Sequence, residues 1–90
     1  MQKIKNGKLY DTDTATCIAA TESEICDTYH AEEFYQKKNG EFFLMVVDAN
    51  RNYGEPRYTV RPIDYDEAIE WAELFMSREE YESVFGTVYE

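Results

Sequence analysis

The residues of this 90-residue sequence that are best suited to a chemical role are the carboxylates of its last third. From residue 64 onward, nine acidic side chains stand against the single basic side chain of Arg78, a net charge of −8. Residues 1–63 contribute only −2 to the total net charge of −10. This distribution disfavours binding of nucleic acid or an anionic membrane through the acidic segment, and it favours a basic partner.

Part of this charge has a structural explanation. Two pairs of residues have the spacing of a capping box, in which two side chains satisfy backbone N–H groups at the start of a helix. They are Asp64 with Glu67, and Ser77 with Glu80. The helix dipole also favours carboxylates in the first turn. Caps and dipoles together explain Asp64, Asp66, Glu67, Glu79 and Glu80.

Three acids lie deeper in the helical segments and lack this explanation: Glu70, Glu73 and Glu82. Asp66 and Glu70 are four residues apart, and Glu67, Glu70 and Glu73 follow one another at intervals of three, which predicts one negative stripe. Like charges at these spacings cost about 0.2–0.5 kcal/mol per pair. Stability alone would favour lysine here, so the stripe indicates a functional requirement.

The stripe approaches the charge density of a nucleic-acid strand. Residues 65–76 span about 18 Å at about 1.5 Å per residue, a length over which one DNA strand carries about five phosphates. This predicts a surface that mimics a phosphate backbone. Its predicted partner-binding residues are Asp66, Glu67, Glu70, Glu73, Glu79 and Glu82. Tyr53, in an Asn- and Gly-rich loop, is a further predicted partner-binding residue, because exposed tyrosine is enriched at interfaces. Tyr89 is a second tyrosine and lies near the end of the sequence.

Other chemistries find no support in the sequence. His30 is the only histidine and has no partner at metal-ligand spacing, while Cys17 and Cys26 lie nine residues apart in no metal or redox motif and are expected to be reduced. Asp11–Asp13 supplies only the opening of a calcium loop. No serine lies in a nucleophile motif. We therefore predict a non-enzymatic protein with no cofactor and no metal.

Local signals predict the elements that position these residues. The two capping boxes open helices over residues 65–76 and 78–85, and Gly86 stops the second helix. Helical spacing of apolar residues predicts which side chains of the first helix face the core. We expect Ile69, Ala72 and Phe75 within the core, and Trp71 at its boundary.

The segment before the helices reads as strands. Asn-Gly pairs at 6–7 and 39–40 predict hairpins, the second of which should place Tyr35 opposite Leu44 and Lys38 opposite Glu41. Residues 15–21 and 57–61 are predicted strands, the latter ended by Pro62, and residues 22–30 are predicted to form a loop or a short helical turn. The Phe42–Val47 run is apolar on both faces, which indicates a central strand.

These elements predict a single α+β domain over residues 1–90. An antiparallel β-meander of five to six short strands precedes two C-terminal helices packed on one face. The second face of the Phe42–Val47 strand must also be covered. The sequence leaves three possibilities open: sheet curvature, the 22–31 segment or a partner. No signal peptide or apolar run of about 20 residues is present, so the expected compartment is the cytoplasm.

Much of the chain resembles a group of short acidic proteins carried by phages and mobile elements of Gram-positive bacteria. The similar stretches are Asn6–Ala15, Tyr35–Leu44, Glu67–Glu73 and Tyr81–Gly86. Their motifs are structural and assign no functional residue. Some small acidic proteins from that genomic setting are anti-CRISPR proteins, which occupy the nucleic-acid groove of a Cas effector, and the resemblance implies that function.

The sequence thus predicts a non-enzymatic inhibitor that presents a DNA-mimicking surface to a basic nucleic-acid-binding protein, with a Cas effector as the implied partner. It does not predict direct contact with nucleic acid or membrane. The alternative is a generic protein-interaction module, homodimeric in one form, that uses the exposed sheet face or an edge strand. A small enzyme ranks third.

Overall fold

The computed structural model describes residues 1–88, so Tyr89 and the acidic residue Glu90 lie outside the described part of the chain. Within it, six strands are followed by two helices. They are β1 (Gln2–Lys5), β2 (Lys8–Asp11), β3 (Thr16–Ile25), β4 (Thr28–Gln36), β5 (Phe42–Asn50), β6 (Arg57–Ile63), α1 (Tyr65–Phe75) and α2 (Arg78–Phe85). Strands β3 to β6 form a four-stranded antiparallel meander and β1–β2 form a separate hairpin. The α+β class and the order of sheet before helices are confirmed.

The first Asn-Gly turn is confirmed, and the second has a different geometry from the one expected. Asn6 and Gly7 both have positive φ, 53° and 75°. In the second turn only Gly40 does, at 93°; its N–H donates to the carbonyl of Lys37 at 2.9 Å, and the N–H of Lys37 donates to the carbonyl of Glu41 at 2.8 Å. The loop is therefore longer than two residues.

This longer loop shifts the register of β4 against β5 by one residue. Tyr35 lies opposite Phe43, and Phe34 lies opposite Leu44, so the predicted pairing of Tyr35 with Leu44 was wrong. A one-residue shift moves a side chain to the other face of the sheet. Tyr35 consequently stacks on Phe43 at 5.0 Å between ring centroids, away from the helices. The Lys38–Glu41 pairing was also wrong, since Lys37 contacts Glu41.

The prediction of a loop over residues 22–30 was wrong. Strand β3 runs on to Ile25, a tight turn follows in which Cys26 has φ 55°, and β4 begins at Thr28. The Thr28 hydroxyl donates to the carbonyl of Ile25 at 2.7 Å, and the Tyr29 hydroxyl donates to Glu22 at 2.9 Å. Polar cross-strand contacts support this end of the sheet, so it lacks the alternation of apolar residues that would reveal a strand.

Strand β5 lies between β4 and β6 and contributes buried residues to a core on each face of the sheet, which confirms a central strand with two covered faces. Its second face is covered by the β1–β2 hairpin, a cover that the sequence left undetermined. Tyr10 of β2 packs edge-on against Phe43 at 5.3 Å, and the Lys5 ammonium donates to the carbonyl of Val60 at 3.3 Å. The core on this face comprises Tyr10, Tyr35, Phe43, Met45 and Val60.

Strand β6 connects the sheet directly to α1. It extends through Pro62 to Ile63, beyond its predicted end at Arg61. An edge strand tolerates proline where the missing N–H would face solvent. Ile63 pairs with Phe42 and is buried, and Asp64 then caps α1. This short connection fixes the start of α1 at one end of the sheet.

Both predicted capping boxes are present, and Gly86 ends α2 with φ 95°. The predicted inward face of α1 was partly wrong. Trp71 is buried, at 6% exposure, whereas Phe75 is 50% exposed. Phe75 is the last residue of α1, where its ring packs on that of Trp71 at 5.1 Å. The helix-side core is formed by Phe34, Phe42, Leu44, Ile63, Ala68 and Trp71.

Candidate acidic interface on helix α1

The orientation of α1 determines which carboxylates reach solvent. Its buried residues, which include Ala68 and Trp71, face the sheet. At about 100° per residue, Asp66, Glu70 and Glu73 lie on the opposite face, and all three are exposed. Among the described residues they have no hydrogen bond or ion pair that involves their carboxylates. We call these three residues the acidic stripe.

Glu67 lies on the flank of the helix. One carboxylate oxygen accepts a hydrogen bond from the N–H of Asp64 at 3.3 Å in the capping box. The other lies 3.6 Å from a guanidinium nitrogen of Arg61 on β6. Its charge is therefore partly compensated within the fold, in contrast to the acidic stripe.

Helix α2 contributes less free charge than the sequence suggested. Glu79 is exposed in the first turn. Glu82 accepts a hydrogen bond from Arg78 at 3.0 Å and one from the N–H of Val88 at 3.4 Å. The bond from Arg78, followed by that from Val88, holds the pKa of Glu82 below its ordinary value. The bond from Val88 gives Glu82 a structural role at the end of α2, and this bond could not be predicted from the sequence.

Tyr53 is exposed as expected, at 84%, but the structure does not bring it to the acidic stripe. It lies in the connection between β5 and β6, next to the pair Asp48–Arg57, whereas α1 begins at the opposite end of these strands. The pocket that it lines includes Tyr29 and Arg57 and no residue of either helix. The predicted site therefore divides into two separate surfaces.

A network around His30 links the sheet to α1, and no pattern in the sequence predicts it. The ring nitrogens of His30 lie 2.6 Å from a carboxylate oxygen of Asp48 and 2.9 Å from one of Glu32. The second oxygen of Glu32 accepts a hydrogen bond from the indole N–H of Trp71 at 2.8 Å. Burial raises the pKa of Glu32, but hydrogen bonds from His30 and Trp71 outweigh it and hold that pKa below its ordinary value.

The network predicts a pH-dependent contribution to stability. Hydrogen bonds to Glu32 and then Asp48 raise the pKa of His30 above its ordinary value. A raised folded-state pKa stabilises the fold below the unfolded value of about 6.5 and loses this effect as pH rises through the folded-state pKa. We expect the melting temperature to fall across this range and His30→Gln to flatten the profile. Superimposable pH profiles of the two proteins would contradict the prediction.

The acidic stripe predicts that salt stabilises the free protein. Screening over a Debye length of about 8–10 Å weakens repulsion among exposed carboxylates. Raising NaCl from about 10 mM to about 150 mM should therefore raise the melting temperature. Glu70→Lys should raise it at low salt by replacing repulsion from Asp66 and Glu73 with attraction. A melting temperature that is flat or falls with salt would show that these charges do not repel one another appreciably.

The fold and the site define a small α+β protein with an exposed acidic helical surface. Comparisons with protein-family models, with curated proteins and with solved structures gave no match. Neither helix in residues 1–88 has both the length and the apolar character needed to cross a membrane. The same described residues hold no group of three or more His, Cys, Asp or Glu side chains arranged to bind a metal ion. The resemblance to phage and mobile-element proteins stays a prediction.

Proposed function

We propose that the protein is a non-enzymatic inhibitor that presents the acidic stripe to a basic nucleic-acid-binding protein in the bacterial cytoplasm. The observation that carries the proposal is the set of uncompensated carboxylates on the outward face of α1. Glu67 and Glu82, by comparison, are each partly neutralised by an arginine of the same chain. Repulsion among these carboxylates lowers the stability of the fold, and nothing within residues 1–88 compensates for it. We expect such an arrangement where a partner supplies the opposite charge.

The geometry of the stripe supports mimicry of a phosphate backbone. Residues 66 to 73 rise about 10 Å along the helix axis, a distance over which one DNA strand advances about three phosphates. The three carboxylates of the stripe match this number. A basic groove that binds DNA mainly through its phosphates would accept such a surface, because phosphate contacts need charge and spacing rather than base identity.

A Cas effector is the partner that we propose in particular, on the strength of the resemblance to mobile-element proteins. The direct test measures binding of target DNA by a purified effector–guide complex with increasing amounts of this protein. We expect competition that weakens steeply between about 50 mM and 200 mM salt. Lys3→Ala, a change to an exposed cation away from α1, should compete like the parent.

A broader experiment covers other basic partners. Immobilised protein should capture a nucleic-acid enzyme from a bacterial lysate and release it on a salt gradient. Capture that resists high salt, or no competition with DNA for the captured protein, would overturn the mimicry proposal.

Strand β3 supports a second candidate function, pairing through a sheet edge. It is ten residues long and forms one edge of the four-stranded sheet. A long exposed edge strand can pair with a strand of another chain. If two copies of the chain pair through β3, light scattering should give about twice the monomer mass of 10.6 kDa. The substitution Ala20→Pro within β3 should then restore the monomer.

A further inference from the structure

A groove of about 220 Å³ lies between α1 and the sheet and shares Glu70 with the acidic stripe. Most of its lining side chains are either apolar or acidic. The apolar part includes Trp71, Leu74 and Phe75, and the acidic part consists of Glu32, Glu67 and Glu70. We call this feature the α1 groove.

The apolar side of the α1 groove is unusually open to solvent. Leu74 is 76% exposed and Phe75 is 50% exposed, although both lie within three residues of the buried Ala72. Adjacent exposed apolar side chains with a polar rim are typical of an interaction site. A surface that mimicked phosphates by charge alone would not need them.

The acidic side of the groove has unused hydrogen-bonding capacity. Glu32 is engaged by Trp71 and His30, and Glu67 is engaged by its cap and, at 3.6 Å, by Arg61. The Glu70 carboxylate has no hydrogen bond or ion pair within residues 1–88. Three carboxylates and one guanidinium line the groove, so it retains a net negative charge.

Aromatic rings, an aliphatic side chain and a free carboxylate together match the chemistry of arginine. A guanidinium is weakly hydrated, stacks on aromatic faces and donates paired hydrogen bonds to a carboxylate, whereas a lysine ammonium offers only a compact charge. The chain itself provides an example, because the Arg61 guanidinium lies in the groove beside Glu67.

We propose that the α1 groove binds an arginine side chain of the basic partner. The aliphatic stem lies against Leu74, the guanidinium packs against the exposed ring of Phe75, and Glu70 accepts its hydrogen bonds. This inference rests on the proposed function and specifies how the partner is anchored beside the acidic stripe.

Two peptides of equal length and charge, tetra-arginine and tetra-lysine, test the inference. Trp71 is the only tryptophan, so its indole N–H signal in NMR spectra and its fluorescence report on the groove. We expect tetra-arginine to shift this signal saturably and to bind about 2–5-fold more tightly than tetra-lysine, as expected for stacking at a partly exposed site. Equal affinities would overturn the inference.

Matched variants locate the binding. Leu74→Ser and Glu70→Gln should each remove most of the preference for arginine, while Glu55→Gln, which removes an exposed carboxylate from the connection between β5 and β6, outside the groove, should preserve it. An equal loss in all three variants would overturn the inference in favour of diffuse charge. A Trp71 signal that shifts with protein concentration in the absence of peptide would overturn it in favour of a second copy in the groove.

The same variants separate this inference from the proposed function. If Leu74→Ser competes with DNA for the effector as well as the parent does, the arginine anchor is wrong and the inhibitor proposal stands. If the parent shows the arginine preference but never competes with DNA, the inhibitor proposal is wrong and the groove stands as an arginine-binding site.

Discussion

Replacing Trp71 with alanine is expected to lower the free energy of unfolding by about 3–5 kcal/mol, the usual cost of deleting a large buried aromatic side chain. The Trp71 ring is tilted against that of Phe34 at 5.0 Å, and its N–H donates to Glu32 at 2.8 Å. The substitution leaves a cavity and also removes a donor from a partly buried carboxylate. Because a domain of this size is stabilised by only about 5–10 kcal/mol, the loss should be evident in the urea midpoint followed by circular dichroism.

Two further variants give this prediction its controls. Phe75→Ala should cost about 1–2 kcal/mol, roughly half of the low end for a buried phenylalanine, because its ring is half-exposed. Trp71→Phe keeps most of the apolar contact and removes the hydrogen bond to Glu32, which should cost about 1–3 kcal/mol. A larger loss for Phe75→Ala than for Trp71→Ala would show that α1 packs through the other face.

The contrast between Trp71 and Phe75 shows which features of α1 can be predicted from the sequence and which cannot. Both capping boxes were predictable because each depends on residues three positions apart. The burial of each side chain on the inward face was not fully predictable, because helical spacing gives the direction of a side chain and not the extent of the sheet beneath it. Phe75 has the direction of the core, but it lies at the end of α1 and stays half-exposed.

The sheet shows the same division between local and long-range determinants. Asn6-Gly7 specifies its turn locally, since both residues take positive φ. The loop at Asn39-Gly40 is one residue longer than the predicted two-residue turn. Tyr35 therefore pairs with Phe43 rather than Leu44, which changes the face of the sheet on which Tyr35 lies. The cover provided by Tyr10 depends on how a separate hairpin packs, and no local pattern encodes that.

The candidate site was predictable in its charge and not in its assembly. Asp66, Glu70 and Glu73 form an exposed stripe, as their spacing indicates. The pairing of Glu82 with Val88 depends on how the chain leaves α2. The contacts of His30 depend on a register that joins β4, β5 and α1. Because residues 22–30 were predicted to form a loop or a short helical turn, that network could not be predicted.

Reversing the whole acidic stripe should have the largest effect on function. The triple variant Asp66→Lys, Glu70→Lys and Glu73→Lys changes the net charge from −10 to −4. We expect it to lose at least about 100-fold in affinity for the basic partner, because each substitution replaces an attraction by a repulsion. We expect the variant to stay folded, because none of the three carboxylates makes a hydrogen bond or ion pair within residues 1–88, and three lysines repel one another about as strongly as three carboxylates do. Competition with DNA for a Cas effector, together with thermal melting, measures both quantities.

A charge-matched control decides whether position or total charge matters. The variant Asp13→Lys, Asp27→Lys and Glu55→Lys has the same net charge of −4 and alters only turns and loops outside both helices. If the stripe is a phosphate mimic, this control keeps most of the parent's affinity, because its lysines lie away from the contact surface and act only through a screened long-range field. Equal losses in the two triple variants would assign the effect to net charge. A folded stripe variant that competes like the parent would remove the mimicry proposal and leave the edge-strand module in its place.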